Sequence, residues 1–417
     1  MAGMDPVDPS EGTRRAAVVL PEVTHARAEF AELSRQWSLD SLHVVGTPRK
    51  ERFDRITRLA KQVFGVDNAA ITLIDHDRQW FKSHTDPEAA PETTRDESFC
   101  THTIERPDGM VVPDARKDAV LSRKPDVVAG TMTFYAGVPL LGPGGERVGA
   151  LCVFDAEARE FSTEDRRLLQ DLARWVQDEL TSEMEISQGA QVQQGLLPAP
   201  LVSLAGYQVA GACRPTRALS GDFYDWYPVS GGAAFTLGGV MAQSIVAGVI
   251  AATVRATMRA SSRFDGAAAA VESAADTLDA DLSGAGVFVT LFHGYLDEDS
   301  GVLRYVDAGH GLSVIAHADG RNEHLAPTDT PLGSGWENSW PERTTHLRPG
   351  DVLVSVSDGV LDALGGTLEV LTHVAALARS SASAAETVAA ILAAAGTAAS
   401  DDLTVLVVRR DEVLALG

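Results

Sequence analysis

The sequence predicts an α+β chain of two domains in series, joined by one long helix. Three observations lead there. Apolar strand-like runs alternate with helix-patterned stretches in both halves of the 417 residues. A capped helical stripe starts at Ser162 and ends before the prolines Pro198 and Pro200. Beyond those prolines, acidic residues mark the ends of β-rich runs that lie far apart: Asp222 in SGDFYD, Asp358 in VLVSVSDGV, and Asp401 with Asp402 in SDDLTVLVVRR. Carboxylates gathered from distant strand ends are how a fold assembles hard oxygen ligands for Mg²⁺ or Mn²⁺.

Bulk properties narrow the function. A composition of 45% hydrophobic and 22% charged residues is enough for sizeable cores without covalent staples. The formal charge of −23 argues against nucleic acid and against an anionic membrane surface, since the average field repels phosphates. Cys100, Cys152 and Cys213 are widely spaced, which suits neither a disulfide framework nor a zinc site and fits a reducing compartment. The opening MAGMDPVDPSEG is not a signal peptide, and the longest apolar stretch, Ile245–Val254, is too short to span a bilayer. A soluble, cytoplasmic protein is expected.

Taken in order, residues 1 to about 26 read as disordered, within a tail and short helix over 1–46. The short helix falls at His25–Trp37. Phe53, Ile56, Leu59, Val63 and Phe64 recur at helical spacing and are followed by Gly65. Asn68–Asp75, Gln79–Ser83, Val111–Asp114, Phe134–Leu141 and Val148–Asp155 read as strands, the last two forming a hairpin about a Gly-rich turn. Ser162 and Asp165 make a capping-box-like start. Leu169, Leu172, Val176, Leu180 and Met184 then form one stripe. That stripe suits packing on the first domain, with its later part pairing two protomers as a homodimer. Alanine-rich helices follow at Ser244–Ala260, Asp265–Leu282 and Ser383–Gly396, among short strands.

DRQWFKS at 77–83, SFCTHTI at 98–104, VVPDARKD at 111–118 and FYAGVPLLGPGGERVGALCVFD at 134–155 closely resemble a bacterial GAF domain. The resemblance implies a domain at 47–161: a sheet with helices on one face and a pocket for an unspecified small ligand on the other. The signalling helix and linker then occupy 162–195. Phe99, Cys100, His102 and Tyr135 are the candidate pocket residues. Cys100 with His102 could be read as a chromophore attachment, but support of the pocket is the stronger reading. His76, His84 and His102 read as structural rather than as iron or redox ligands.

QQGLLPAP, SGDFYDWYPV, VFVTLFHGYLD, LRYVDAGHG, LRPGDVLVSVSDGV and SDDLTVLVV then occur in order. Together they resemble the SpoIIE-type branch of the metal-dependent PPM protein phosphatases, over 196–410, with a tail at 411–417. That implies an α/β-sandwich with two Mn²⁺ or Mg²⁺ ions that activate water against a phosphoserine or phosphothreonine. It also implies, as partner, a phosphorylated anti-sigma-factor antagonist. By motif position, Asp222, Asp358 and Asp401 are the metal ligands and catalytic residues. His310 of DAGHG, Cys213, Phe223, Tyr224 and Trp226 read as structural.

One departure stands out. The aspartate of the family's second acidic motif falls on Leu237–Ser244, LGGVMAQS, where Gly239 takes its place. No Asp or Glu lies between Trp226 and Phe264, and Ser220 replaces the first glycine of the first motif. Two divalent ions about 4 Å apart repel strongly unless an anion is shared between them. The second ion is therefore expected to be weak or absent and catalysis impaired, unless another residue such as Asp225 or Asp402, or a partner, supplies the missing oxygen.

Overall fold

The computed structural model describes residues 21–199, 204–242, 245–261, 266–335, 339–396 and 399–412. Contacts divide the chain into two units, Met1–Glu185 and Ile186–Gly417. Most of the expected disordered leader, Pro200, the end of the LGGVMAQS stretch and most of the C-terminal tail lie outside the described residues. Among those described, no helix is long and apolar enough to cross a membrane.

The first unit starts with helix α1 (Pro21–Ser41) and α2 (Glu51–Phe64). Helix α1 is longer at both ends than the sequence pattern indicates, and residues 21–26 are helical. Burial accounts for its C-terminal extension: Ser38 and Leu39 are buried within it, and Leu42 just past its end. Helix α2 ends on Gly65 at φ +58°, a left-handed cap whose N–H returns to the Lys61 carbonyl. Phe53 and Ile56 face the core as expected, but Val63 is exposed and Thr57 and Ala60 are buried instead.

Strands β1 (Asn68–Ile74), β2 (Arg78–His84) and β3 (Glu92–Thr94), helix α3 (Cys100–Ile104), strand β4 (Met110–Val112), helix α4 (Pro125–Val128) and strands β5 (Phe134–Leu141) and β6 (Arg147–Asp155) follow. They form one antiparallel sheet in the order β3-β2-β1-β6-β5-β4. Both faces of its centre are buried. Leu151 and Val153 of β6 join one core with α1 and α2, while Ala150 and Cys152 join the other with Phe99 and Tyr135. This is why NAAITLI reads as an unbroken apolar run rather than an alternating one.

Helix α5 (Thr163–Gly195) opens with the predicted capping box. Asp165 N donates to Ser162 Oγ, and Ser162 N donates to Asp165 Oδ2. Leu169, Leu172, Val176 and Leu180 are buried in the first unit's own core, with Met184 packed against it. The stripe read as partly available for pairing protomers is therefore taken up within one chain as far as Met184. The core also extends beyond 47–161 on both sides, to Leu39 and to Leu180.

The second unit contains β7 (Tyr207–Arg214), β8 (Asp222–Val229), β9 (Gly232–Val240), α6 (Ile245–Ala260), α7 (Ala267–Ala285), β10 (Val289–Asp297) and β11 (Val302–Ala308). It continues with β12 (Ser313–Ala316), β13 (Asn322–Leu325), β14 (Arg343–His346), β15 (Val352–Val356), α8 (Asp358–Ala363), α9 (Glu369–Ser380), α10 (Ala384–Ala395) and β16 (Leu403–Arg410). Two five-stranded sheets, β14-β11-β10-β9-β8 and β13-β12-β15-β16-β7, pack face to face. Helices α6 and α7 cover the outer face of the first sheet, and α9 and α10 that of the second. Each fully buried valine of β15 and β16 is worth roughly 1.5–3 kcal/mol of transfer free energy. Helix α9 was not singled out in the sequence. The three alanine-rich helices are present, and their small residues allow close packing.

Candidate metal centre and sensor cavity

Strand parity places the first acidic motif. Phe223 of β8 packs under helices α6 and α7, whereas Tyr224 and Trp226 pack between the two sheets. Asp222 shares the inter-sheet face with Tyr224, and Asp225 shares the helix face with Phe223. Asp225 is accordingly held by α6: Arg259 Nε lies at 2.6 Å and Arg255 Nε at 3.3 Å from Asp225 Oδ2. It is a buried structural ion pair and does not supply the missing oxygen.

Register places Gly239. In the antiparallel β8–β9 pair, Asp222 stands opposite Gly239, and Thr290 of β10 flanks Gly239 on its other side. Leu237, two residues earlier, packs between the sheets, so a side chain at 239 would project to the same face as Asp222. A Cβ built there would lie 3.0 Å from Asp222 Oδ1 and 3.6 Å from Thr290 Oγ1.

Asp222, Gly239, Asp358 and Asp401 line one cleft of about 480 Å³. Asp358 is the first residue of α8, and its Oδ1 accepts from the Gly359 N–H at 3.0 Å. Asp401 precedes β16 and accepts from the Asp402 N–H at 2.8 Å. Asp402 is fully employed. Its Oδ1 accepts from Thr216 N and Oγ1, and its Oδ2 from Ser220 Oγ at 2.8 Å and Gly221 N at 3.0 Å. Asp402 thus fixes the loop that carries Asp222 and is not a spare ligand. The same network employs Ser220 at the altered first position: its Oγ bonds Asp402 and accepts from Asp222 N at 3.0 Å.

The cleft is electrostatically strained. Burial, then the charges of Asp358 and Asp402, push Asp222 well above the ordinary aspartate range, against the nearby Thr404 and Ser357 hydroxyls, which favour its charge. Burial and the Asp401 charge raise Asp358. Asp222 Oδ2 is buried with no hydrogen-bond partner among the described residues. A hard cation would relieve both conditions. Yet among the described residues no three His, Cys, Asp or Glu side chains converge closely enough to hold a metal as they stand. Gly239, opposite Asp222, adds no carboxylate to this set.

Two residues here were not singled out in the sequence. Arg217 lines the cleft and is the one cationic side chain among its described lining residues. Gln193, near the end of α5, clamps the Asp222 loop: its Nε2 donates to the Ser220 carbonyl at 2.7 Å and its Oε1 accepts from Ser220 N at 2.9 Å. Gln193 opens the QQGLLPAP motif, but its clamping role, like the place of Arg217, depends on a neighbour that only the fold supplies. His310 donates its backbone N–H to Asp307, and its Nε2 meets Ser355 Oγ at 3.1 Å. Burial lowers the imidazole to about 4, so the ring is neutral at physiological pH. Cys213 contacts Ser220 Oγ at 3.2 Å.

In the first unit, Phe99, Cys100 and Tyr135 line a cavity of about 400 Å³ together with Cys152, His84 and Asp126. His102 does not join them. It lines a separate hollow with Arg106 and Asp114, because the two-residue step from 100 to 102 is about half a helical turn and directs them to different sides.

The second unit is thus a two-layer sandwich flanked by helices, with Asp222, Asp358 and Asp401 around one cleft. The first unit is a six-stranded sheet with a cavity on one face. Two family profiles match accordingly: GAF domain over residues 48–180, and Stage II sporulation protein E (SpoIIE) over 230–411. The chain couples a GAF domain to a SpoIIE-type domain of the PPM serine/threonine phosphatase family. Asp358 and Asp401 fall inside the second match and Asp222 lies before it. Among curated relatives, the chain is 34% identical to a cyclic di-GMP phosphodiesterase of Pseudomonas aeruginosa over 35% of its own length and 25% of that protein's. It is 23% identical to the phosphoserine phosphatase RsbU of Bacillus subtilis over 45% of its own length and 56% of that protein's. The chain thus spans between a quarter and just over half of these relatives. Among solved structures, the SiaA PP2C domain of Pseudomonas aeruginosa aligns with a TM-score of 0.48 at 17% identity, over 57% of this chain and 99% of that one.

Proposed function

We propose that this is a cytoplasmic, GAF-regulated phosphatase-fold protein of the partner-switching kind, which binds a phosphorylated anti-sigma-factor antagonist and hydrolyses it poorly or not at all. The observation that carries the reading is Gly239. It stands directly across from Asp222, on the face where a shared carboxylate would sit, and the alternative donors Asp225 and Asp402 are committed elsewhere. Asp222, Asp358 and Asp401 would hold a single Mn²⁺ or Mg²⁺. Such an ion, when bound, supplies Lewis-acid charge and acidified water. Arg217 gives the cleft a cation for a phosphate group, while Asp402 and Gln193 keep the Asp222 loop in place. The GAF cavity takes a small molecule whose identity is open. A homodimer is part of this reading, and α1 leaves Phe30, Leu33 and Trp37 exposed as a face for it.

The alternative is an active phosphatase, favoured by the buried unpartnered Asp222 oxygen and the three carboxylates around one cleft. Manganese calorimetry beside a phosphatase assay separates the two. The native protein should bind at most one Mn²⁺, and Gly239→Asp should bind two and gain about a hundredfold in turnover. Gly239 has no left-handed backbone, so the new side chain needs only a shift of the Asp222 carboxylate. Two ions and equal turnover in the native protein would remove the impaired-catalysis reading.

A further inference from the structure

Two cysteines 52 positions apart in sequence meet in the wall of the GAF cavity. Cys100 opens α3 and Cys152 lies in β6, and their sulfurs are 3.7 Å apart, in contact. Parity on β6 turns Cys152 toward the cavity with Ala150, away from Leu151 and Val153. The two sulfurs are presented differently. Tyr135 Oη donates to Cys100 Sγ at 3.3 Å, whereas Cys152 has the Ala70 carbonyl as an acceptor at 3.6 Å. A sulfur that receives a hydrogen bond ionises more readily to the attacking thiolate, and the one that keeps its proton is suited to resolve. The electrostatics agree in direction. Burial pushes Cys100 up, but its contact with Cys152 and the hydroxyls of Thr72, Tyr135 and Ser98 outweigh it, while its contact with Cys100 and its burial raise Cys152.

We propose that Cys100 and Cys152 form a reversible disulfide when a small hydroperoxide enters the cavity. The Cys100 thiolate attacks one peroxide oxygen, the O–O bond breaks, and one water leaves with the thiol's proton, giving a sulfenic acid. Cys152 sulfur then attacks the Cys100 sulfur, the S–O bond breaks, and a second water leaves. Two thiols and one hydrogen peroxide give one disulfide and two waters. The sulfurs must close to about 2 Å, which draws Cys100 away from Tyr135 and reshapes the cavity wall.

The test uses the full chain with graded hydrogen peroxide. Free thiols counted in denaturant should fall from three to one, the intact mass should drop by two hydrogens, and a non-reducing digest should join the Cys100 and Cys152 peptides. Dithiothreitol should restore all three. Cys213→Ser should still form the bridge. Cys152→Ser should stop at a sulfenic acid that dimedone traps on Cys100. Should Cys152→Ser fail to fold, the native digest and Cys213→Ser decide alone. Three persisting thiols, a bridge through Cys213, or oxidation that the reductant cannot reverse would each overturn the proposal.

Discussion

The two faces of β8 treat a buried aspartate in opposite ways. Asp225, toward the helices, meets Arg255 and Arg259, and its charge is neutralised in place. Asp222, toward the other sheet, has a buried oxygen without a hydrogen-bond partner among the described residues and feels the charges of Asp358 and Asp402. Three residues separate them, and the period of a strand sends them to opposite sides. The difference teaches that a buried carboxylate marks a binding site when the fold withholds its partner, and marks architecture when the fold supplies one. Asp307 is a third case. It is buried without a cation, and backbone N–H groups of His310 and Gly311 are its donors at 2.7 and 3.0 Å.

Asp307 offers the largest effect with which to break this contrast. Burial lifts it to about 7, so the folded chain keeps a proton that an unfolded aspartate releases near pH 4. Its contribution to stability is whole below about pH 4, is lost as the pH rises toward about 7, and is level beyond. The full loss approaches about 4 kcal/mol. Asp307→Asn keeps an acceptor for both N–H groups but removes the proton. Thermal midpoints of this variant should fall less steeply than native between pH 4 and 7, and an unchanged slope would show that Asp307 is ionised throughout.

Asp225→Ala comes next. It strands two guanidinium groups, of which Arg255 is nearly buried and Arg259 can turn to solvent. The expected cost is about 3 kcal/mol in denaturant unfolding, and a loss under about 1 kcal/mol would demote the pair to a surface contact. Asp222→Asn should have the smallest effect and the opposite sign. Ionising Asp222 opposes folding as the pH rises, so the metal-free variant should gain about 1 kcal/mol above pH 7. It should also lose any Mn²⁺-dependent rise in thermal midpoint. A destabilised metal-free variant would mean that Asp222 has a partner after all.

Much of this was legible in the residues. The capping box at Ser162, the Gly65 cap, the strand NAAITLI and the three alanine-rich helices follow from local pattern, because each signal is complete within a few residues. The order of the acidic motifs pointed to the PPM family and singled out Gly239. What failed did so for non-local reasons. Val63 fits the α2 stripe by spacing, but Thr57 and Ala60 take the core positions. Cys100 and His102 look like one pocket pair in sequence, and about half a helical turn sends them to different cavities. The stripe on α5 suits a partner helix and a sheet equally well in sequence, and the sheet lies nearer in its own chain.

The sequence by itself determined which side chains exist to do chemistry: the trio of aspartates, the absent fourth carboxylate, and three thiols. Their periodicity also determined which strands and helices carry them. Only the tertiary structure decided their partners. It gave Asp225 two arginines and Asp402 a loop to hold, left one Asp222 oxygen bare, and pressed Cys100 against Cys152. The reason is that charge, burial and hydrogen bonding belong to pairs of groups, and strand register and packing bring those pairs together across long stretches of chain.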